Sequence, residues 1–182
     1  MKYVVLLRGV NVGGQNRVPQ YDFRTVLQQC GFSEIQIYIN SGNAIVSSTE
    51  APDLVTTQTA LEEYFGFSVL ILIIPRDKFL KIANSIPHDW TNDSPKPDKS
   101  GQKSDVLFLF DEINSPDVIE KIGHKSDIET MIYIDGAVIT NVSRANQAKG
   151  SLQKLVNNKA LYNKITVRNI NTVKKLVNII SS

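Results

Sequence analysis

One order of strands and helices occurs twice along this chain of 182 residues. Strands are indicated where apolar residues alternate with polar ones or run without interruption, and helices where apolar residues recur three or four positions apart. In the first half these patterns predict the ferredoxin-like order β-α-β-β-α-β. The predicted strands are 3–8, 34–40, 43–48 and 67–74, and the predicted helices are 22–30 and 52–65. The apolar side of the second helix is predicted to comprise Leu54, Gln58, Leu61 and Phe65.

The second half repeats this order. Ile37-Tyr38-Ile39 precedes the first hairpin turn and Ile132-Tyr133-Ile134 precedes the second, which together with the shared order indicates an internal duplication. The predicted strands here are 105–110, 130–134, 137–142 and 165–168, and the predicted helices are 116–122 and 151–158. We therefore predict an α+β fold of two tandem ferredoxin-like (β-α-β-β-α-β) units, with a linking helix at 76–86 and a C-terminal helix at 172–180.

A change in composition separates the two halves. Residues 88–104 are rich in Asp, Ser, Pro, Lys and Gly, which is typical of a surface loop. Trp90 lies in this segment, and we expect it to anchor the loop rather than to cover a ligand, because large aromatic side chains are mostly buried. The predicted domains are 1–86 (first unit with linking helix), 87–104 (flexible loop) and 105–182 (second unit with C-terminal helix).

The charge balance limits the classes of partner. Twenty Lys and Arg against eighteen Asp and Glu give a formal charge of +2, so any attraction for phosphate has to be local. The single cysteine, Cys30, excludes an internal disulfide and a cysteine-based zinc site, and we expect it to be a buried small apolar residue. No apolar run approaches the roughly 18–20 residues of a membrane helix. We predict a cytoplasmic monomer or weak homodimer without cofactor or metal.

The segment between the first strand and the first helix has the composition of an anion site. It carries Gly13 and Gly14 between Asn11 and Asn16, with Arg8 before them and Arg17 after them. Glycines near a helix start expose backbone N–H groups, which favours an anion. An arginine in such a place requires an acceptor, either a carboxylate of this protein or a phosphate of a ligand. The pattern is neither G-x-G-x-x-G nor a P-loop.

The direction of the strands predicts that the turn Asn40-Ser41-Gly42-Asn43 lies at the same end of the first sheet as this loop. Its amides offer donors and acceptors, and Gly42 would let a ligand approach the backbone. Such turns are also common for a purely structural reason, because Asn and Gly tolerate left-handed dihedrals. Taken alone, the turn is better explained by this structural reason, and a ligand role depends on the neighbouring arginines.

A third polar segment joins the last strand to the last helix. Asn169 or Asn171 is expected to cap that helix, and Arg168 beside the helix start would complement an anion. The preceding loop is basic, with Arg144 and Lys149 expected to be solvated. The candidate ligand-binding residues are Arg8, Asn11, Gly13, Gly14, Asn16, Arg17, Asn40, Ser41, Gly42, Asn43, Arg168, Asn169 and Asn171.

These three segments resemble the signatures of a bacterial family known only as domain-of-unknown-function family 1697, over nearly the whole chain. The segments are residues 7–19, 38–43 and 166–173, where the family usually has glutamine at the position of Asn40 and tryptophan at the position of Ile170. The resemblance implies an α+β fold of two ferredoxin-like units. It implies no activity, because none is established for the family.

Three functions are considered. The first is binding of a small phosphate-bearing ligand, held by arginines and oriented by the amides of Asn11, Asn16 and Asn43. The second is binding of RNA or single-stranded nucleic acid, which we favour less because the aromatics are sparse and the RNA-recognition signatures are absent. Its stacking residues would be Tyr3, Tyr38 and Tyr133.

The third is an enzyme without a metal or a Ser-His-Asp triad, whose arginine-asparagine site would polarise a carbonyl or phosphoryl group. The chain has only two histidines, His88 and His124. Candidate bases are Asp22, Glu34 and Asp135, and nothing in the sequence selects one of them as catalytic.

Overall fold

The first four strands form an antiparallel sheet in the order β2-β3-β1-β4. The structure is a computed structural model that describes residues 1–182. β1 pairs with β3 on one side and with β4 on the other, so it is a central strand. Its residues from Tyr3 to Leu7 are all buried, in agreement with their continuous apolar run. The elements of this part are β1 (Lys2–Arg8), α1 (Gln20–Gln29), β2 (Ser33–Ile37), β3 (Asn43–Ser47), α2 (Leu54–Phe65), β4 (Leu70–Pro75) and α3 (Arg76–Asn84).

Helices α1 and α2 supply the apolar layer over this sheet, with Phe23, Val26 and Leu27 of α1 buried. α2 begins later than predicted, because the side chain of Asp53 accepts hydrogen bonds from the backbone N–H groups of the helix's first turn and so caps it. Leu54, predicted on the buried side, therefore lies in the first turn and is 40% exposed. That part of the prediction is wrong.

The remaining strands form a second antiparallel sheet, in the order β6-β7-β5-β8. The predicted helix 151–158 ends early, at Leu155. A second short helix begins at Lys159, where Asn158 caps it through a hydrogen bond from the Leu161 N–H at 3.2 Å. The elements are β5 (Gln102–Leu109), α4 (Val118–Ile122), β6 (Glu129–Ile134), β7 (Ala137–Ser143), α5 (Ser151–Leu155), α6 (Lys159–Tyr162), β8 (Ile165–Asn169) and α7 (Ile170–Ser181).

The predicted α+β class is confirmed, with two four-stranded antiparallel sheets and seven α-helices. The chain divides into two compact units: the first unit comprises Met1–Leu80 with Leu176–Ser182, and the second unit comprises Lys81–Lys175. Trp90 is only 8% exposed, which confirms its predicted anchoring role. None of the helices has the length and apolar character needed to cross a membrane.

Candidate functional site

The loop between β1 and α1, residues 9–19, is a small hairpin. The N–H of Asn11 donates to the carbonyl of Asn16 at 3.0 Å, and the N–H of Gln15 donates to the carbonyl of Val12 at 3.1 Å. Gly13 and Gly14 form the tip, with φ of 59° and 78°, and a tight two-residue turn of this hand needs positive φ at both positions. The two glycines are therefore required by the shape of the hairpin.

Asn11 joins this loop to the turn after β2. Its Nδ2 donates to the carbonyl of Asn40 at 2.6 Å and to that of Val18 at 3.2 Å, and its Oδ1 accepts from the N–H of Val18 at 2.9 Å. Gln20 adds a second link, from its Nε2 to Oδ1 of Asn40 at 2.9 Å. The two segments thus meet at one end of the first sheet, as the strand directions predict. Sequence reasoning missed Gln20, although its position at the start of α1 placed it beside the loop.

Asn43 lies fully buried beneath the turn. Its Nδ2 donates to the carbonyl of Tyr38 at 3.1 Å and to Oγ of Ser41 at 2.8 Å. Gly42, with φ of 70°, accepts from the N–H of Leu7 at 2.7 Å. In this conformation Asn43 shapes the turn, because a side chain without exposed surface contacts only its own protein.

We expect Asn11→Ala to lower the free energy of unfolding by about 2 kcal/mol, since three hydrogen bonds are lost and the N–H of Val18 loses its partner. Asn16→Ala is the matched control. Asn16 shares the left-handed backbone (φ 50° against 55°), but its side chain donates only one bond, to Gly9 at 3.3 Å. Thermal unfolding of both variants is the measurement, and equal losses would contradict the joining role of Asn11.

Arg17 and two backbone N–H groups of this end are exposed. Arg17 is exposed and makes no hydrogen bond or ion pair within the protein. The N–H groups of Gly13 and Gly14 donate to no other group of the chain, and nothing lies within 4 Å of where a Cβ would stand at either residue. Arg8 is half-buried at the end of β1. Arg17 and the two glycine N–H groups can meet an anion without moving the loop.

Exposed apolar side chains border the same end of the sheet. Val12 is 67% exposed, Tyr21 79% and Ile39 44%. Each of them is the sequence neighbour of a residue in the Asn11–Asn40–Gln20 hydrogen-bond cluster. Ile39 also has φ of 51°, a conformation that is strained for a β-branched residue. A ligand at this end would therefore meet apolar as well as basic surface.

The third predicted segment lies in the second unit. Arg168 is 8% exposed, and its Nη1 donates to Oγ1 of Thr166 at 3.0 Å and to the carbonyl of Val167 at 2.9 Å. Burial lowers the pKa of Arg168 to about 10. Arg168 is thus enclosed by its own unit rather than displayed beside the helix start.

The two asparagines of this segment have structural partners. Asn169 caps α7 by accepting from the N–H of Thr172 at 2.9 Å, which confirms one of the two predicted caps. Asn171 instead donates from Nδ2 to the carbonyl of Asn92 at 3.1 Å and so fixes the long loop before β5. These internal bonds do not test whether the two asparagines also contact a ligand, so that role stays a prediction.

The predicted stacking tyrosines have internal roles. Tyr3 is 4% exposed in the core of the first unit, so it cannot stack a base in this conformation. The hydroxyl of Tyr133 donates to Oδ1 of Asn114 at 3.1 Å. Tyr38 is half-buried beside the turn that Asn43 shapes. These contacts give little surface on which a nucleic acid could stack.

The candidate bases also have partners. The hydroxyl of Tyr64 donates to Asp22 at 3.2 Å, and that of Ser47 donates to Glu34 at 2.6 Å. Nδ2 of Asn114 donates to Asp135 at 2.7 Å. Cys30 is half-buried against the first core, and burial raises the pKa of its thiol despite a hydrogen bond with Thr57. Nothing in these contacts singles out a nucleophile or a general base.

Fold and site together define an α+β protein with a basic, glycine-containing hairpin at one end of its first sheet. The chain belongs to the DUF1697 family, described as a protein of unknown function, whose sequence profile matches residues 1–139. Both signature loops of the first unit fall inside that range, and the segment 166–173 falls outside it.

A solved structure of a conserved bacterial protein from Streptococcus pneumoniae is similar to this chain. Its TM-score is 0.76 at 23% sequence identity, and the match covers 100% of this chain and 98% of that chain. At this identity the similarity concerns the fold alone. No curated protein matches the chain.

Proposed function

We propose that the hairpin end of the first unit binds the phosphate group of a small ligand. The observation that supports this proposal is that some polar groups of this end are bonded within the protein, whereas others are not. The amides of Asn11 and Asn43 are committed to holding the two segments, whereas Arg17 and the N–H groups of Gly13 and Gly14 stay exposed and without partners. A pre-shaped loop with outward donors suits an anion, because little ordering is needed on binding.

We also propose that the two halves arose by duplication of a ferredoxin-like unit, with sequence boundaries 1–86, 87–104 and 105–182. Matching bonds support this. The N–H of Leu7 donates to Gly42 at 2.7 Å, and that of Leu109 donates to Gly136 at 2.9 Å. In the second half Asn114 takes the place of Asn11, since its Oδ1 accepts from the N–H of Gly136 at 2.8 Å.

The duplication supplies an internal comparison for the proposed site. In both halves an asparagine in the loop after the first strand holds the hairpin turn, so this link belongs to the fold. The loop of the second half, 110–117, contains Asp111, Glu112 and Asp117 and no arginine. The exposed arginine and the glycine tip are therefore additions of the first half, and the fold does not require them.

Ligand titration tests the proposal. We expect inorganic phosphate, pyrophosphate, ribose 5-phosphate or a mononucleotide to raise the melting temperature, and Arg17→Ala to weaken binding about tenfold, the cost of one charge-assisted hydrogen bond. The matched control is Arg76→Ala. Arg76 is also exposed in the first unit, but it pairs with Asp77 and follows Pro75, which lies opposite Tyr3 at the other end of β1.

Two outcomes would overturn the proposal. One is that none of the four compounds shifts the melting temperature or the amide resonances of the wild-type protein. The other is that Arg17→Ala and Arg76→Ala bind the phosphate compounds with the same affinity. Denaturant unfolding should show that both variants keep wild-type stability, because neither side chain packs in the core.

A further inference from the structure

We infer that the second unit carries its own binding pocket for a small phosphate monoester, between Lys99 and Arg144. The pocket has a volume of about 280 Å³. It lies where the long loop before β5 meets the loop between β7 and α5, which are joined by a bond from the N–H of Arg144 to the carbonyl of Gly101 at 2.9 Å. Its lining residues are Lys99, Arg144, Ala145, Gln147, Ala148 and Gln153.

Arg144 is fixed in place but incompletely satisfied. Its Nη2 donates to the carbonyl of Asp93, and its Nη1 donates to Oε1 of Gln147 at 2.8 Å. Its Nε is buried and has no partner. A buried N–H without an acceptor costs free energy, more so on a charged group, so a turn of the guanidinium that brings Nε to an oxyanion in the pocket would be favoured on binding. From sequence we expect Arg144 to be solvated, and in the structure it is half-buried between two loops.

No acidic residue lines the pocket. The carboxylate of Asp93, whose carbonyl accepts from Arg144, accepts from the N–H of Gln102 at 2.7 Å and from the hydroxyl of Thr91 at 2.7 Å. These two bonds are the main reason why the pKa of Asp93 is lowered, and they turn its carboxylate toward its own loop. The positive charge of Arg144 also contributes to lowering the pKa of Asp93, so Lys99 supplies the less compensated charge of the pocket.

The lining selects the class of ligand. Lys99 and Arg144 bring two positive charges, which match a phosphate monoester better than a neutral or singly charged group. Gln147 and Gln153 add carboxamides for hydroxyl groups, and the methyl groups of Ala145 and Ala148 leave room beside them. The volume lies near the lower end of small-molecule sites, about 300 Å³, which suits a sugar phosphate.

The fold does not require this pocket. In the first half the corresponding loop, between β3 and α2, is Ser48-Thr49-Glu50-Ala51-Pro52-Asp53 and contains no cation. Arg144 and its neighbours are thus particular to the second half. This comparison is independent of the hairpin site in the first unit, so the pocket stands or falls separately from the proposed function.

Ribose 5-phosphate and inorganic phosphate are the probes, titrated into the full-length protein with amide chemical shifts and calorimetry as readouts. We expect shifts at residues 99 and 144–148, and Lys99→Ala to weaken ribose 5-phosphate binding about tenfold. Lys154→Ala is the matched control, because Lys154 is exposed on α5 and does not line the pocket. Lys99 and Gln153 are exposed, so replacing them leaves the fold intact.

Arg17→Ala separates this pocket from the hairpin site. The inference holds if the shifts at 144–148 persist in Arg17→Ala and are lost in Lys99→Ala. It is overturned if neither probe shifts these amides, or if Lys99→Ala and Lys154→Ala weaken binding to the same extent, which would indicate only diffuse attraction to a basic surface. Failure of the hairpin site would appear instead as the absence of shifts at residues 13–17.

Discussion

Replacing Glu129 by alanine is expected to lower the free energy of unfolding by about 3 kcal/mol, and the melting temperature by about 6–12 °C. Glu129 is 5% exposed at the start of β6. Its carboxylate accepts from the N–H of Ser151 at 3.1 Å, from the hydroxyl of Ser151 and from the N–H of Lys125 at 3.3 Å. Truncation leaves the N–H of Ser151 buried without an acceptor, which is the costly case, whereas its hydroxyl keeps the carbonyl of Gly123 at 2.6 Å.

Two further variants make this prediction specific. Glu129→Gln keeps the volume and one acceptor oxygen, so its free energy of unfolding should lie between those of the wild-type protein and Glu129→Ala. Glu120→Ala is the control, because Glu120 is an exposed glutamate on α4 with no side-chain partner. Calorimetry and near-UV circular dichroism would follow unfolding. A melting temperature of Glu129→Ala equal to that of Glu120→Ala would show that the carboxylate contributes nothing.

Gly42→Ala is expected to be comparably damaging, at about 2–5 kcal/mol. Its φ of 70° is unfavourable for alanine, and the added Cβ would lie 2.6 Å from Cβ of Leu7 and 2.9 Å from Cγ2 of Val10. Both neighbours are buried, so the overlap cannot be relieved by a swing of a free side chain. The turn would have to separate from β1, and the bond from Leu7 to Gly42 would be lost.

Gly14→Ala isolates the backbone contribution. Gly14 has a similar φ of 78°, yet nothing lies within 4 Å of its added Cβ. Only the left-handed backbone is penalised there, by about 1 kcal/mol. The difference between the losses of unfolding free energy in Gly42→Ala and Gly14→Ala, measured by denaturant unfolding, therefore gives the cost of the steric overlap. Similar losses in the two variants would contradict the tight contact beneath the turn.

The order and direction of the strands could be predicted from sequence. The central strands are continuous apolar runs, and Gly42 and Gly136 mark the hairpin turns by their freedom to adopt positive φ. Once the strand directions are known, the meeting of the glycine loop with the first hairpin turn follows. This is why the bond between Asn11 and Asn40 could be anticipated as proximity, although not as a particular pair of atoms.

The assignment of each polar side chain to structure or to ligand could not be predicted. Asn43 and Arg168 look like surface residues in sequence, and both are buried because tertiary packing covers them. They lie in polar segments like the one that contains Arg17, and Arg17 is exposed. The partners of Arg144 and Asn171 lie in the loop before β5, 51 and 79 residues away. No local pattern records such distant pairs, so the pocket at Lys99 and Arg144 could not be found from sequence.

The first unit draws on both ends of the chain, since Leu176–Ser182 belong with Met1–Leu80 and Nζ of Lys2 donates to the carbonyl of Ile180 at 3.4 Å. During translation the opening strand therefore leaves the ribosome long before its C-terminal contacts exist. The sheet of the first unit lies within residues 2–75, so we expect its strands to pair early and the segment from Leu176 onward to be the last part added to this unit.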